Sequence, residues 1–298
     1  MPNTRRKKIL VGVDGSERSL QTVKYVSGIP GFCNMNVILF SAYMEIPEGY
    51  WDLQKMPQFS GRIGEIHAWE TQSRNDLEEK LEEARRILVK AGVPEEAVTV
   101  QNRKVRQGIA RDLIKEGKNC DVVAIGRRSS GKIKELMLGS VSTKLLEKVD
   151  YAPLVLVGKE SNADSVLVAM DGSPNSMRSV RYIARMMAGS YARVLLFHAI
   201  RGADEKFVRM AGEAMEKVFD EARGKLAKAG LAGDRVETKI VPGVESRAAA
   251  IVGEARIGNY RTIVVGRKGH SRLRQFFMGR VSRKVIYMAR GLAVWVVN

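Results

Sequence analysis

Two glycine-rich stretches hold the residues best suited to chemistry. The first reads Gly126-Arg-Arg-Ser-Ser-Gly131-Lys132-Ile133 and continues to Gly139-Ser140-Val141-Ser142. The second reads Gly266-Arg-Lys-Gly269-His-Ser-Arg and continues to Gly279-Arg280-Val281-Ser282. Each follows an apolar run of strand length, DVVAIG or RTIVVG. A strand that enters a glycine turn and then a helix presents backbone N–H groups and the positive end of a helix dipole, which suits a phosphate. The run from Gly126 to Lys132 imitates a P-loop, but Ile133 stands where a Ser or Thr hydroxyl would hold magnesium. The loop also follows the fourth strand of its unit, not the first, and the second copy has no matching Gly-Lys. A P-loop hydrolase is excluded.

Other chemistry finds little support. His67, His198 and His270 stand singly, without the spacing of a metal site. His198 reads as a satisfied core histidine, and His270 lies in the second loop. No Gly-x-Ser-x-Gly elbow occurs, and no Cys/His arrangement suggests a nucleophile. Cys33 and Cys120 make neither a Cys-x-x-Cys pair nor a zinc spacing, which fits a reduced cytosolic chain. No run approaches the ~18 apolar residues of a membrane span. The basic N-terminus leads into an apolar run of only Ile9 to Val13, too short for a signal-peptide core.

The elements that must position these loops come in two copies. Residues 7–26 align with 164–183 at an offset of 157, identical at eight of twenty positions, and Phe40 aligns with Phe197. DVVAIGRR (121–128) aligns with RTIVVGRK (261–268) at an offset of 140, as do the segments starting at Gly139 and Gly279. The first copy therefore carries 17 extra residues, most of them in an insertion at 42–64. Domain 1 is expected over 1–158 and domain 2 over 164–298, joined by a short polar linker.

Within each copy, near-continuous apolar runs alternate with helical patterns. KILVGV, NVILFS, AVTVQNRKV, DVVAIG and APLVLV read as five strands covered on both faces. Helices of 3.6-residue period are expected near Glu65–Lys90, with a buried stripe through Ile66, Trp69, Leu77, Leu81, Ala84 and Leu88, and in copy two through Phe207, Met210, Ala214, Val218, Ala222 and Leu226 up to Gly230. The expected fold is α/β: two tandem doubly wound domains, each a five-stranded parallel sheet with helices on both faces and any ligand at the strands' carboxyl ends.

The paired loops, together with the Asp-Gly-Ser turns at Asp14 and Asp171, resemble the universal stress protein family, here with two such domains in series. Nucleotide-binding members of that family carry Gly-x2-Gly-x9-Gly-Ser/Thr after strand four and an Asp turn after strand one. The resemblance implies that Asp14 and Asp171 sit beside adenine and ribose, and that backbone at Ala42 and Ala199 meets the base. Phosphates would lie against Gly126, Arg128, Ser129, Gly139, Ser140, Val141 and Ser142 in domain 1. In domain 2 they would lie against Gly266, Lys268, Gly269, Gly279, Arg280, Val281 and Ser282.

Each copy departs from that pattern once. Ser129 replaces the second glycine in domain 1; if that position needs positive φ or touches phosphate, the Cβ costs ~1–2 kcal/mol. Gly131 offers another register. Arg280 replaces Ser/Thr in domain 2, losing a hydroxyl but keeping its N–H and adding a guanidinium suited to phosphate, or one that folds in and blocks the pocket. Domain 2 is read as the better site. The bland reading stands beside this: Gly126 and Gly266 serve a tight turn, and Asp14 and Asp171 cap the following helix. Ser16 and Ser173 read as caps, not phosphorylation sites. The insertion, with Tyr43, Met44, Tyr50, Trp51, Met56 and Phe59, reads as a lid on its own domain, the rival being a partner surface.

The resemblance implies a cytoplasmic stress-response regulator that binds ATP or AMP, optionally with Mg, and is not an enzyme beyond incidental ATPase activity. The rival is a nucleotide-free scaffold for an unknown protein partner, its domains pairing within the chain, with a homodimer also open. The net charge of +17 divides as +5 over 1–158 and +12 over 164–298, and no acidic residue follows Glu254. Arg267, Lys268, Arg272, Arg274, Arg280, Arg283 and Lys284 crowd the second loop, which favours a phosphate-bearing ligand. Nucleic acid binding rests on charge alone, with no helix-turn-helix, RRM or zinc signature.

Overall fold

The computed structural model describes residues 6–45, 60–127, 138–202, 204–231, 233–269 and 278–298, with backbone only at 60–64 and 67. The loop segments 128–137 and 270–277, which include Arg128, Ser129, Gly131, His270, Arg272 and Arg274, lie outside the described residues, as do Tyr50, Trp51, Met56 and Phe59 of the insertion.

Domain 1 runs β1 (Lys8–Gly12), α1 (Glu17–Ser27), α2 (Pro30–Cys33), β2 (Asn36–Tyr43), α3 (Ser60–Lys90), β3 (Val98–Lys104), α4 (Ile109–Gly117), β4 (Val122–Gly126), α5 (Ser140–Lys148) and β5 (Leu154–Val157). Domain 2 runs β6 (Ser165–Ala169), α6 (Pro174–Met186), β7 (Arg193–Arg201), α7 (Glu205–Ala227), β8 (Val236–Val244), α8 (Arg247–Ile257), β9 (Thr262–Gly266), α9 (Arg280–Met288) and β10 (Ala293–Val297). Among the described residues no helix is long and apolar enough to cross a membrane.

The two expected sheets are joined into one of ten strands, ordered β3-β2-β1-β4-β5-β10-β9-β6-β7-β8. Pairing is parallel within each half. The halves meet at one antiparallel ladder, Val294 against Leu156, Trp295 against Val155 and Val296 against Leu154. The strand order reads the same from either edge, so the second half repeats the first about an approximate twofold axis at this ladder. The strands β5 and β10 are buried along their whole length because helices cover both faces.

One apolar layer extends across both domains on each face of the sheet. On the first face Leu20, Val23, Leu81, Leu88, Ile183 and Phe219 pack with Ile9, Val11, Val168 and Trp295. On the second, Leu113, Leu145, Ile251 and Val285 pack with Leu10, Val123, Ile263 and Val294. Trp295 lies at the join, 5.2 Å from the ring of Phe32 and edge-on to Tyr182 at 5.8 Å. Its Nε1–H donates to the Tyr25 hydroxyl (2.7 Å), which donates to Thr262 Oγ1 (2.8 Å), which donates to the carbonyl of Asn162 (2.7 Å). Tyr182 aligns with Tyr25 in the repeat, yet its buried hydroxyl has no hydrogen-bond partner among the described residues. Val122 and Val155 stand where Thr262 and Trp295 stand in the other half.

Two helix stripes differ from expectation. Leu81, Ala84 and Leu88 are buried as expected, but Trp69 is 68% exposed. In α7 the buried residues are Met215, Phe219, Ala222 and Leu226, while Phe207 and Met210 are exposed and Ala214 faces solvent. The cause is length. The 31 residues of α3 extend about 46 Å, and the eight of β2 span about 26 Å, so the N-terminal turns of the helix overhang the sheet.

Candidate functional site

In each half the strand order reverses beside the first strand, between β1 and β4 and between β6 and β9, which opens a crevice at the carboxyl ends. The Asp-Gly-Ser turns border these crevices. Gly15 and Gly172 adopt φ of 76° and 75°, a region that side chains avoid and that the tight turn requires. The cap reading is corrected in detail. Ser16 and Ser173 are the N-caps, each accepting from the N–H three residues on (3.2 Å). The aspartates instead accept the serine N–H, Asp14 at 3.2 Å and Asp171 at 3.0 Å, and so fix the turn before the helix begins.

In domain 2 these elements surround a cavity of about 520 Å³, within the range of small-molecule sites. Asp171, Ala199, Gly266, Lys268, Gly269, Gly279, Arg280, Val281 and Ser282 all line it. Its inner wall is apolar, with Met170, Phe197, Ile251 and Val265 buried. Its mouth carries the exposed cations Lys268, Arg247 and Arg280, and Asp171 is the single carboxylate among the described residues that line it.

The first turn of α9 has the backbone geometry that suits an anion. Gly279 is its N-cap and offers no side chain to the helix. The N–H groups of residues 280–282 therefore have no intrahelical partner, and the dipole leaves partial positive charge there. Gly279 is held by its own N–H donating to the carbonyl of Arg267 (2.8 Å). The Ser282 hydroxyl donates to the carbonyl of Gly266 (2.7 Å), so it locks the strand end to the helix and leaves the backbone N–H as the unspent donor of Ser282 in that turn.

The glycines divide by role. A methyl group at Gly126 would come within 2.9 Å of Thr22 Oγ1, and one at Gly266 within 3.1 Å of Asn175 Cβ, so both permit close helix–strand packing whether or not a ligand binds. Gly269 differs. Its φ lies outside the left-handed region, contrary to one reason considered for a glycine there, and a methyl group would overlap the Asp171 carboxylate.

His198, Arg247, Met170 and Met278 also line the cavity and were not assigned from the sequence as ligand contacts. His198 Nδ1 lies 2.7 Å from the carbonyl of Met170, which can only accept, so Nδ1 carries the proton. Burial pushes its pKa below the usual histidine value, with Arg247 adding to this and the Met170 bond and Asp171 opposing it. Arg247 Nε donates to the Ala199 carbonyl (3.3 Å) and so braces the strand end expected to meet the base. Only Arg247's place at the start of α8, at the same sheet end as the loops, hinted at this.

In domain 1 the described groove takes in Asp14 alone of the expected site residues. Asp14 lines a groove of about 1030 Å³ with Tyr43, Met44, Trp69 and Leu77, where Glu45, Glu70, Asp76 and Glu79 face Arg74 and Lys80. Ala42, Gly126 and the turn Gly139, Ser140, Val141 and Ser142 are not in that lining. Gly139 is again an N-cap without a side-chain bond, and Ala42 and Val141 pack on the second apolar layer. The charge reading also changes at one residue. The Arg267 side chain does not crowd the loop but is buried against domain 1, donating to the carbonyls of Val149 (2.6 Å) and Leu146 (2.7 Å). Among the described residues no three His, Cys, Asp or Glu side chains are placed to hold a metal.

The sequence profile of the universal stress protein family matches residues 5–157 and again 162–297. A universal stress protein of Mycolicibacterium smegmatis (strain ATCC 700084 / mc(2)155) is 24% identical over 289 residues, covering 94% of each chain. The crystal structure of a universal stress protein from Archaeoglobus fulgidus DSM 4304 superposes with a TM-score of 0.62 at 20% identity, over 97% of this chain and 95% of that one. A functionally unknown protein from Pseudomonas aeruginosa PAO1 gives 0.58 at 16% identity, over 98% and 92%.

Proposed function

The chain belongs to the universal stress protein family, and from that premise we propose a cytoplasmic stress-response regulator that binds an adenine nucleotide, ATP or AMP, in the domain 2 cavity. One observation carries the reading: an apolar inner wall, a carboxylate and an uncapped helix N-terminus converge on one cavity of nucleotide size. The base would occupy the wall of Phe197, Ala199 and Val265. Asp171 would accept from ribose hydroxyls. The phosphates would lie on the first-turn N–H groups of α9, between Lys268 and Arg280. With a single carboxylate among the described lining residues, Mg would arrive with the phosphates and not on a protein site of its own.

The protein is read as acting by binding, not by chemistry. His198 commits Nδ1 to a backbone carbonyl, and burial favours its neutral form. Domain 1 is read as secondary, because the groove beside Asp14 carries five carboxylates against two cations. The rival reading, a nucleotide-free scaffold for a protein partner, draws on exposed Trp69, Phe207 and Met210.

The test is to purify the protein without added ligand, identify any released nucleotide, and follow its melting with added ATP. A saturating ligand at 100 times its Kd adds about 2.7 kcal/mol, a shift of several degrees. No adenine on extraction and no shift at millimolar ATP would remove the nucleotide and leave the scaffold.

A further inference from the structure

The residue that follows each strand-end glycine, Arg127 after Gly126 and Arg267 after Gly266, crosses to the other domain. Arg127 Nη1 donates to the carbonyl of Ala289 (2.7 Å) and Nη2 to that of Ile286 (2.5 Å). These carbonyls end α9, the helix whose first turn lines the domain 2 cavity. Arg267 reciprocates on α5 through Leu146 and Val149. Both arginines are buried, at 6% and 4% exposure.

A helix C-terminus leaves its last carbonyls without intrahelical partners and carries partial negative charge. A bidentate guanidinium satisfies two carbonyls at once and places a full positive charge at that end. The nine residues of α9 are about 13 Å long, so its two ends move as one short rod. Among the described residues no carboxylate is bonded to Arg127; its side-chain bonds go to carbonyls. Burial, with Arg290 nearby, lowers its pKa to about 10, which still leaves it charged at neutral pH.

We propose that Arg127, a residue of domain 1, is a positioning residue for phosphate binding in domain 2, holding α9 by its C-terminus so that its N-terminal N–H groups stay aimed into the cavity. The proposal rests on the reading of that cavity as a nucleotide site. It makes the phosphate part of the domain 2 site incomplete without domain 1. Base and ribose contacts, set by β7 and the Asp171 turn, do not depend on it.

The test separates phosphate binding from nucleoside binding. Calorimetric titration of the full chain with ATP and with adenosine gives the affinity gained from the phosphates. Arg127→Met keeps much of the volume without the charge, and is expected to weaken ATP three- to tenfold while leaving adenosine unchanged. Arg127→Lys, which keeps the charge but not the paired bonds, is expected to recover part of the loss and covers the case in which Arg127→Met does not fold. Tyr25→Phe, which disturbs the same domain junction without touching α9, is expected to leave the ATP-to-adenosine ratio alone. Equal weakening of ATP and adenosine, or an unchanged ratio in both Arg127 variants, would overturn the proposal. Wild-type protein that binds neither ligand would overturn the nucleotide reading, and this proposal with it.

Discussion

Gly269 lies directly against the Asp171 carboxylate, close enough that a methyl group on the glycine would overlap Oδ2. Asp171 meanwhile spends Oδ1 on the N–H of Ser173 (3.0 Å) and so cannot turn aside without loosening its turn. Gly269→Ala should therefore weaken ATP at least tenfold, about 1.4 kcal/mol, by displacing the carboxylate. Its melting should fall as well, because the displaced carboxylate gives up the Ser173 N–H that fixes the turn, a loss of about 1 kcal/mol. Calorimetry and a melt of the same sample check both, and an unchanged affinity would count against Asp171 as a ligand contact.

Tyr25 and Tyr182 occupy equivalent places with opposite circumstances, one hydroxyl in a three-bond chain and the other buried without a partner. Removing an unsatisfied buried hydroxyl relieves its desolvation, whereas removing a bonded one strands its neighbours. Tyr182→Phe should be neutral or stabilising by up to about 1 kcal/mol, and Tyr25→Phe destabilising by about 1–3 kcal/mol. Urea denaturation of the two variants should move in opposite directions or, at the least, differ by more than 1 kcal/mol.

Trp295 is fully buried where Phe32 of one domain meets Tyr182 of the other. Trp295→Ala should cost about 3–5 kcal/mol, the range for a large aromatic in a core. Because the cavity left behind lies between the domains, the loss should also lower the cooperativity of unfolding, seen as separated transitions by fluorescence and circular dichroism. A single two-state transition at wild-type midpoint would contradict the packing.

His198 gives a pH dependence. Its folded pKa is depressed, chiefly by burial, so the unfolded chain takes up a proton more readily than the folded one. The contribution is complete above the ordinary histidine value near 6.5 and is lost as the pH falls below it. His198→Asn should flatten the fall in denaturation midpoint between about pH 7.5 and about pH 5.5. An identical slope in both proteins would mean that this histidine does not report on folding.

Much of the architecture was legible because it is written twice. The eight identities between residues 7–26 and 164–183 fix β1, β6 and their Asp-Gly-Ser turns, and the near-continuous apolar runs give the parallel strands. The nine expected domain 2 residues share one cavity because they come from turns at one end of one sheet, a property of the fold class. What the sequence hid depends on tertiary lengths and partners. Hydrophobic period marks the face of α3 that packs but not how far the sheet extends beneath it, so Trp69 was counted as core. Charge counting placed Arg267 with the loop cations, since nothing in composition distinguishes a solvated guanidinium from one that caps a distant helix. Tyr25 and Tyr182 look alike in the repeat, and only the Thr262/Val122 and Trp295/Val155 differences across the join separate them.

The antiparallel ladder between β5 and β10 also sets an order of events during synthesis. Domain 1 is complete in sequence at Val157, but the strand that closes its sheet, Ala293–Val297, is made more than a hundred residues later. Until then β5 offers an unpaired, apolar edge that another nascent chain could extend. Chaperone engagement should therefore concentrate on the interval after domain 1 emerges, and slow translation through domain 2 should prolong the exposure.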